Sequence, residues 1–394
     1  MGAGMISGRG EMRFVHIGDS HLGLSQFNRL ADDGVNLRER LVYTHFLDGM
    51  DAIIRLRPDA VVHAGDLFHS VRPKTLAYTT ALEALSRLGD AGIPLVIIAG
   101  NHDMKKSRYT TSPFEVLEYH STPIHAGYHY RYEHVEVGDT RFHLIPNLLQ
   151  PSQYREEFDR IELLRNGRNV LVTHGLASTL RDHRLGTVME HEIDTTMLSP
   201  GFDYIALGHF HGQKQVADNA WYCGSQEYIT YAEIGDTKGG LLVDLDRQTV
   251  DHLDLPRTPM VDLGELECET LSPREVGEGI AERAIGVADS GQPAMAIITL
   301  TGISRRTFQS VDPGLLREAR SRFLELRTSF TSGTSGTPLT DRRSLTGVDY
   351  VELFGGYLKD QNLGEKEHRF IFERGSAVIQ SVMAGEAGEE DATP

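Results

Sequence analysis

The sequence predicts an α/β fold with a mixed β-sheet, followed by a small α+β unit, the cap, and a C-terminal helical arm. Strand-like apolar runs alternate with helical segments from Met12 to about Leu255, which is typical of this class. Some later strand-like runs follow one another without a helix between them, so we expect a mixed sheet. Five short polar blocks directly follow apolar runs, as loops at the carboxyl ends of buried strands do.

The helices and strands of the main domain can be placed from the spacing of apolar residues. Residues 37–56 show helical spacing, and this segment stops just before Pro58, where a helix is expected to end. The same spacing over residues 73–88 predicts a second helix. Later apolar runs predict strands at residues 141–146, 169–173, 204–207 and 240–245.

The cap follows the main domain, which we assign to residues 12–255, and we assign the cap to residues 256–330. Strand-like runs at residues 260–267 and 294–303 alternate with helical segments at residues 273–287 and 313–326. This pattern predicts the order β-α-β-α.

The two ends of the chain and the segment after the cap differ from the rest in composition. Residues 1–11 are rich in glycine and residues 385–394 are acidic, so we expect both to be disordered. Residues 331–347 are rich in Ser, Thr and Gly, which predicts a flexible linker. Residues 348–384 hold two short amphipathic segments that are too small to form a core. We interpret them as a docking arm, with helices packed on the cap as the alternative.

The composition argues against several classes of protein. No apolar run is long enough to span a bilayer, and the first dozen residues lack the apolar segment of a signal peptide. The chain has two cysteines, too few for a disulfide framework, and this number argues against thiolate zinc. The net charge of -17 counts against a protein that coats nucleic acid by itself, because phosphates are held mainly by Lys and Arg.

Positive charge is nevertheless present beside two of the polar blocks. Arg72 and Lys74 follow one block, and Lys105, Lys106 and Arg108 follow another. Two interpretations stay open, namely ordinary solvated surface and contacts with a polyanion.

The five blocks read GDSH (residues 18–21), GDLFH (65–69), GNHD (100–103), THG (173–175) and GHFH (208–211). They supply carboxylate, carboxamide and imidazole ligands, a mixture that suits divalent manganese or iron. Two metal ions that share a bridging carboxylate can hydrolyse a phosphoester. The candidate metal ligands are Asp19, His21, Asp66, Asn101, His174, His209 and His211.

The spacing within the blocks separates ligands from neighbouring residues. Asp19 and His21 lie two residues apart, so an extended strand end would direct both to the same side. His209 and His211 have the same spacing. Asn101 and His102 are adjacent and should point in different directions, so one can bind metal while the other faces a substrate.

The ordered set of blocks resembles that of the calcineurin-like metallophosphoesterases. Within them, the stretches GDSHLG, RPDAVVHAGDLFHSVRP, AGNHD, LVTHGLA, YIALGHFHGQ and CGSQE resemble the nucleases of DNA double-strand-break repair, the SbcD type of bacteria. The resemblance covers residues 13–255 and implies a sandwich of two mixed sheets flanked by helices.

The resemblance also implies a role for each site residue. Asp19, His21 and His211 would hold one Mn²⁺, and the second would be held by Asn101, His174 and His209. Asp66 would bridge the two ions.

Two further histidines would have catalytic roles. His102 would stabilise charge or protonate the leaving oxygen, and His69 would position His102. Asp103 would orient its loop rather than bind metal.

At the level of the whole protein, the resemblance implies a manganese-dependent DNA nuclease. It would act as a 3'-5' exonuclease on double-stranded ends and as an endonuclease on single strands, together with an ABC-type ATPase of the Rad-fifty/SbcC family. It would be cytoplasmic and nucleoid-associated, without membrane contact. It would form a homodimer through helices near the start of the chain, for which Leu85 is a candidate interface residue.

Two alternatives to this function stay open. A small-molecule phosphodiesterase or nucleotidase of the same fold would need neither a cap nor a docking arm. A non-catalytic scaffold for DNA ends would not need His102.

Overall fold

The computed structural model describes most of the chain. The described residues are 11–104, 111–122, 124–177, 192–193, 198, 201–286, 293–331, 354, 368–372 and 374–376. The described residues do not include residues 1–10, the basic residues Lys105, Lys106 and Arg108, almost all of the predicted linker or any of the predicted acidic tail. The chain divides into a compact unit that ends at Thr328 and a second unit that starts at Ser329.

The strands of the described residues are numbered β1 to β17 in chain order. They are β1 (Arg13–Ile17), β2 (Ala60–His63), β3 (Leu95–Ile98), β4 (Ile124–Gly127), β5 (Glu133–Val137), β6 (Thr140–Ile145), β7 (Arg168–His174), β8 (Leu176–Ala177), β9 (Glu192–Ile193), β10 (Tyr204–Gly208), β11 (Lys214–Ala217), β12 (Ala220–Tyr222), β13 (Gly240–Asp244), β14 (Thr249–Leu253), β15 (Met260–Glu267), β16 (Met295–Thr301) and β17 (Glu325–Thr331).

The helices of the described residues are numbered in the same way. They are α1 (Leu37–Leu56), α2 (Thr75–Asp90), α3 (Phe114–Leu117), α4 (Pro151–Phe158), α5 (Pro273–Ile285), α6 (Arg305–Gln309) and α7 (Pro313–Ser321), together with a short 3-10 helix at Tyr231–Glu233. None of the helices in the described part of the chain has the length and apolar character needed to cross a membrane.

Two six-stranded sheets form the main body. The first has the order β14-β13-β1-β2-β3-β4 and the second the order β11-β12-β10-β7-β6-β5. In the first sheet β1 to β4 are parallel, whereas β13 runs antiparallel to β1. In the second sheet β6, β7, β10 and β12 are parallel, and β5 and β11 are antiparallel edge strands. The predicted mixed sheet is therefore confirmed, and it is present twice.

The sheets pack face to face through a shared apolar core. Phe14 of the first sheet makes edge-on contacts with Phe142 and Tyr204 of the second, with ring centroids 5.8 and 5.5 Å apart. Val62 and Val172 join the same cluster and are fully buried. Burial of such side chains stabilises the sandwich by roughly 1.5–3 kcal/mol each.

Helices α1 and α2 cover the outer face of the first sheet. α1 occupies the predicted range, and the Asn36 side chain caps it by accepting a hydrogen bond from the Glu39 N–H at 3.1 Å. α1 ends at Leu56, and the C-cap residue Arg57 is left-handed with φ 50°. Leu85 of α2 is only 2% exposed within its own chain, so the choice of Leu85 as an interface residue was wrong. Its side chain packs in the core instead.

A three-stranded sheet with the order β15-β16-β17 follows, and β15 and β16 are parallel. The predicted helix over residues 313–326 ends at Ser321, and a strand begins at Glu325. Strand pairing beside β16 explains why the helix is shorter than predicted, because Leu324 N–H donates to Ala294 O at 2.7 Å. The residues that follow also include Thr and Phe, which favour strands.

The second unit has few described residues. Among them the rings of Phe354 and Phe372 stack with an interplanar angle of 9° and centroids 6.3 Å apart. Gly375 lies against Phe354, where a Cβ atom would be 2.3 Å from the ring. The two amphipathic segments predicted from the sequence thus contact each other.

Candidate metal centre

The five polar blocks meet at one edge of the sandwich. Three of them follow β1, β2 and β3 of the first sheet, whereas THG and GHFH lie at the ends of β7 and β10 of the second sheet. β7 and β10 pair in parallel, with Gly208 opposite His174. The carboxyl ends of parallel strands in both sheets therefore present their loops together.

Several proposed ligands have left-handed backbones. The φ angles are 50° at Asp19, 47° at His21, 54° at Asp66 and 98° at His209. Such angles are uncommon for residues other than glycine and are held by their surroundings. The extended strand end expected from the spacing of Asp19 and His21 is therefore wrong, although the two side chains do converge.

Hydrogen bonds between the first two loops hold these angles. Asp19 N–H donates to Gly65 O at 2.9 Å, and His21 N–H donates to Asp66 O at 3.0 Å. His209 N–H donates to the Asp19 carboxylate at 3.1 Å. The ligand side chains are therefore fixed by contacts between strands far apart in the sequence.

Glycines make room for this arrangement. A Cβ atom at Gly100 would lie 2.2 Å from Asp66 Oδ1, and one at Gly208 would lie 2.0 Å from Ala64 O. A side chain at either position would displace the neighbouring loop.

Atoms of ligand type form three overlapping groups, in each of which they lie within 4.8 Å of one another. The first group is Asp19, His21 and His211, the second is Asp19, Asp66 and His174, and the third joins His21 to the two histidines with expected catalytic roles, His69 and His102. Within the first group the Nε2 atoms of His21 and His211 are 3.3 Å apart.

Asn101 and His209 complete the second side of the centre. The Asn101 Oδ1 lies 3.0 Å from His174 Nε2 and 3.0 Å from His209 Nδ1. All seven sequence-predicted ligands are therefore brought together.

The donor set fits divalent cations. His174 Nδ1 donates to Ala64 O at 2.8 Å, and this leaves the Nε2 lone pair directed at Asp66 and Asn101. His211 Nδ1 lies 3.0 Å from Glu233 Oε1, so its Nε2 faces His21 instead. Imidazole nitrogens and carboxylate oxygens facing one another at these distances suit ions of intermediate hardness.

Burial and mutual attraction shift the protonation of these groups. Burial raises the pKa of Asp19 to about 6. Burial also opposes ionisation of Asp66, yet attraction to His174 holds the pKa of Asp66 well below its usual range. Burial would lower the pKa of His174, but Asp66 raises that pKa to about 9. A proton and a metal ion thus compete for His174 Nε2.

His102 and His69 lie at the rim of the cluster and are half-buried. The His102 backbone N–H donates to Asp66 Oδ1 at 2.8 Å, and its Nδ1 donates to the backbone carbonyl of His69 at 2.9 Å. The two rings stack with centroids 5.3 Å apart. His69 therefore contacts His102 through its carbonyl and ring face, and its own Nδ1 lies 3.3 Å from His21 Nδ1.

Asp103 supports the loops without being placed among the ligands. It is fully buried and accepts hydrogen bonds from the N–H groups of Leu67, Phe68 and Gly100 at 3.0, 2.8 and 3.1 Å. These contacts join the second and third blocks, in agreement with the orienting role expected from the sequence.

Glu233 and Lys238 are site residues that were not predicted from the sequence. Glu233 accepts from Lys238 Nζ at 2.7 Å as well as facing His211, and both side chains are buried. A signal was present, because Thr230 and Glu233 form the capping box of the 3-10 helix, and T-x-x-E is a recognisable pattern.

The comparisons with known proteins agree with this geometry. The family model of the calcineurin-like phosphoesterases matches residues 12–213. The chain is 30% identical over 262 residues to the DNA double-strand break repair protein Mre11 of Methanococcus maripaludis, covering 62% of this chain and 67% of that protein.

Two further relatives carry the same name. The protein of Methanocaldococcus jannaschii is 29% identical, covering 62% of this chain and 66% of the relative. That of Haloferax volcanii is 34% identical, covering 61% of this chain and 51% of the relative. The match thus spans about half to two thirds of these curated relatives. The chain belongs to the calcineurin-like phosphoesterase family, and within it to the Mre11 type.

Proposed function

We propose that this protein is a manganese-dependent DNA nuclease of double-strand-break repair that hydrolyses phosphodiester bonds with two metal ions. The observation that carries the proposal is the convergence of carboxylate and imidazole ligand atoms within 4.8 Å in two groups that share Asp19. Relatives named for DNA double-strand break repair support the choice of substrate.

In this proposal Asp19, His21 and His211 would hold one ion, and Asn101, His174 and His209 would hold the other. Asp66 would contribute to both sites, because its Oδ2 lies 3.8 Å from His21 Nε2 and 3.5 Å from His174 Nε2. Those two nitrogens belong to different proposed sites.

The bound ions would polarise a water molecule and neutralise charge on the phosphoryl oxygens. The chain supplies the remaining chemistry. Since His102 Nδ1 donates to a carbonyl oxygen, its Nε2 is the nitrogen that can hold a proton for the leaving oxygen. Asp66 also fixes the His102 backbone, so metal binding and placement of this imidazole are coupled through one carboxylate.

The test is cleavage of duplex and single-stranded DNA with Mn²⁺, with and without EDTA. Asp66→Asn should lose bound manganese and cleavage, whereas Asp48→Asn, an exposed position on α1, should match the wild type. End-labelled substrates would distinguish 3'-5' exonuclease from single-strand endonuclease products. Turnover of nucleotide monomers without any cleavage of DNA would contradict the proposal and favour a nucleotidase. DNA binding without metal-dependent cleavage would favour a scaffold.

We also propose that the C-terminal arm docks on an ABC-type ATPase of the Rad-fifty/SbcC family. Phe370 and Ile371 are 63% and 37% exposed, and exposed apolar side chains of this kind suit a partner helix. The chain cut after Leu345 should cleave DNA but no longer co-purify with the ATPase. Phe370→Asp in the full chain should have the same effect, and retained binding by both variants would contradict the arm as the docking element.

We also propose a homodimer, which would form through exposed apolar residues on and after α2 instead of through the buried Leu85. Val116 and Tyr119 are 42% and 92% exposed, and Leu76 of α2 is 40% exposed. Tyr119→Asp should convert a dimer to monomers that still bind manganese, as measured by light scattering. A wild type that is monomeric at micromolar concentration would contradict this proposal.

A further inference from the structure

A cavity of about 370 Å³ is lined by residues other than the proposed metal ligands. Its lining comes from two parts of the first unit, the loops of the main body and the three-stranded sheet. Phe27, Tyr228 and Tyr231 contribute from the loops, and Met260, Met295 and Arg327 contribute from the strands. The volume falls within the range of roughly 300–1,000 Å³ that is usual for small-ligand sites.

The lining favours a flat aromatic ligand that carries negative charge nearby. The Phe27 and Tyr231 rings contact each other edge to face at 6.3 Å. Met260 and Met295 are direct neighbours on adjacent strands, and methionine thioethers make favourable contacts with aromatic rings. The exposed Arg327 holds its guanidinium 5.3 Å from the centre of the Tyr231 ring, where it can also meet a phosphate.

Contacts between the two parts hold the cavity in shape. The Tyr231 hydroxyl donates to Glu325 O at 3.4 Å, and Arg29 donates to Phe323 O. Phe27 has a φ of 63°, which is a genuine outlier for a bulky residue, and its carbonyl accepts from Asn36 Nδ2 at 2.7 Å. The aromatic wall is therefore fixed before any ligand arrives.

The cavity and the metal centre share one turn of the chain. Tyr231 and Glu233 are the first and last residues of the 3-10 helix, in which residues two apart are separated by about 4 Å along the axis. Tyr231 lines the cavity, and Glu233 lies 3.0 Å from the proposed metal ligand His211. One short helix therefore links the wall of the cavity to a residue that contacts the metal centre.

We propose that this cavity is a stacking site for one unpaired nucleobase of the DNA strand being cut. The proposal rests on the proposed nuclease function. A base inside a duplex is paired and stacked and cannot enter the cavity, so the occupant must be unpaired. Stacking on aromatic side chains accepts every base. It also supplies affinity that a chain of net charge -17 cannot draw from phosphate contacts alone.

The test measures binding separately from cleavage. The anisotropy of a labelled single-stranded oligonucleotide is followed in EDTA at low salt, with a single abasic site moved along the strand. For the wild type, an abasic site at one position should weaken binding about 5- to 100-fold, the range expected from stacking of one base on aromatic residues. Abasic sites at distant positions should have little effect.

Variants connect this effect to the cavity. Tyr231→Ala and Phe27→Ala should weaken binding of the intact strand by a similar factor and should no longer respond to the position of the abasic site. Tyr231→Phe should behave as the wild type does. Ile285→Ala, at a side chain that is 55% exposed on α5, is the control and should retain the response. The manganese content of Tyr231→Ala should be unchanged if Glu233 stays in place.

Two results would overturn the inference. One is a wild type that does not bind the strand or shows no position dependence. The other is Tyr231→Ala and Phe27→Ala both keeping that dependence. Since cleavage is not needed for this readout, a protein that binds as expected and cuts nothing in Mn²⁺ would contradict the proposed nuclease and not the stacking site.

Discussion

Removing the Glu233 carboxylate should weaken both the fold and the metal centre. Glu233 accepts from Lys238 Nζ at 2.7 Å and from Ile229 N–H at 2.9 Å, and its Oε1 lies 3.0 Å from His211 Nδ1. The Lys238 side chain is 0% exposed. In Glu233→Ala the ammonium of Lys238 therefore loses its nearest buried counter-ion and keeps only Asp236, 4.0 Å away, and His211 loses the acceptor that orients its ring.

The two losses have different magnitudes. Breaking a buried ion pair by removing one partner costs roughly 3–5 kcal/mol of unfolding free energy. Burial already lowers the pKa of Lys238 despite the attraction of Glu233, so Lys238 in the variant can lose its proton. We therefore expect Glu233→Ala to lower the unfolding free energy by about 3 kcal/mol at neutral pH and by less at pH 9. Loss of a residue that orients a metal ligand typically costs about 10- to 100-fold in metal affinity.

Urea unfolding and titration with Mn²⁺ measure the two effects separately. The double variant Glu233→Ala with Lys238→Met removes both charges and should regain most of the stability, while manganese affinity stays low because His211 remains without its acceptor. A double variant that regains manganese affinity as well would refute the role assigned to Glu233. So would a Glu233→Ala variant that binds manganese as the wild type does.

Three more variants test other parts of the structure. Gly100→Ala should abolish metal binding, because its Cβ would lie 2.2 Å from Oδ1 of Asp66, the proposed bridging residue. Gly235→Ala is the control and should bind metal normally, because a Cβ there would have nothing within 4 Å. Equal metal contents in the two variants would contradict this prediction. His102→Ser should keep its manganese and lose about 10²- to 10⁴-fold in cleavage rate, and loss of metal would show that it is a ligand. Burial would raise the pKa of Glu227, but Arg38 and His45 hold it below 4.5. The stability that Glu227 contributes is therefore full above about pH 4.5 and is lost as the pH falls through its folded pKa. The difference in unfolding free energy between the wild type and Glu227→Gln should therefore shrink as the pH falls through that range. A difference that stays constant with pH would contradict this prediction.

The elements that the sequence predicted well are those in which local pattern and tertiary packing agree. α1 occupies residues 37–56 as predicted, because its apolar stripe packs on a sheet and its ends are set by Asn36 and by Arg57 before Pro58. The cap helix predicted over residues 313–326 was too long, because the last part of that range pairs beside β16. Strand pairing over that distance leaves little trace in the local sequence.

The candidate site shows the same division. The position of each block after an apolar run predicted that the ligands would meet, and parallel strands are sufficient for that conclusion. The left-handed backbones of Asp19 and Asp66 were not predictable, because they depend on hydrogen bonds such as that from Asp19 N–H to Gly65 O at 2.9 Å. The sequence shows which side chains are supplied, and contacts between loops determine how each one is turned.

Glu233 shows why residues that orient ligands are harder to find than the ligands. An ionised carboxylate offers about four lone-pair sites. At Glu233 the local capping box uses some of them, through Thr230 N–H at 3.2 Å, and that role is visible in the sequence. The remaining sites face Lys238 and His211, and His211 lies on a different loop, after β10. A carboxylate in a capping box is therefore a candidate for orienting a ligand whenever the fold buries it beside metal-binding residues, because its unused lone pairs must then find donors inside the protein.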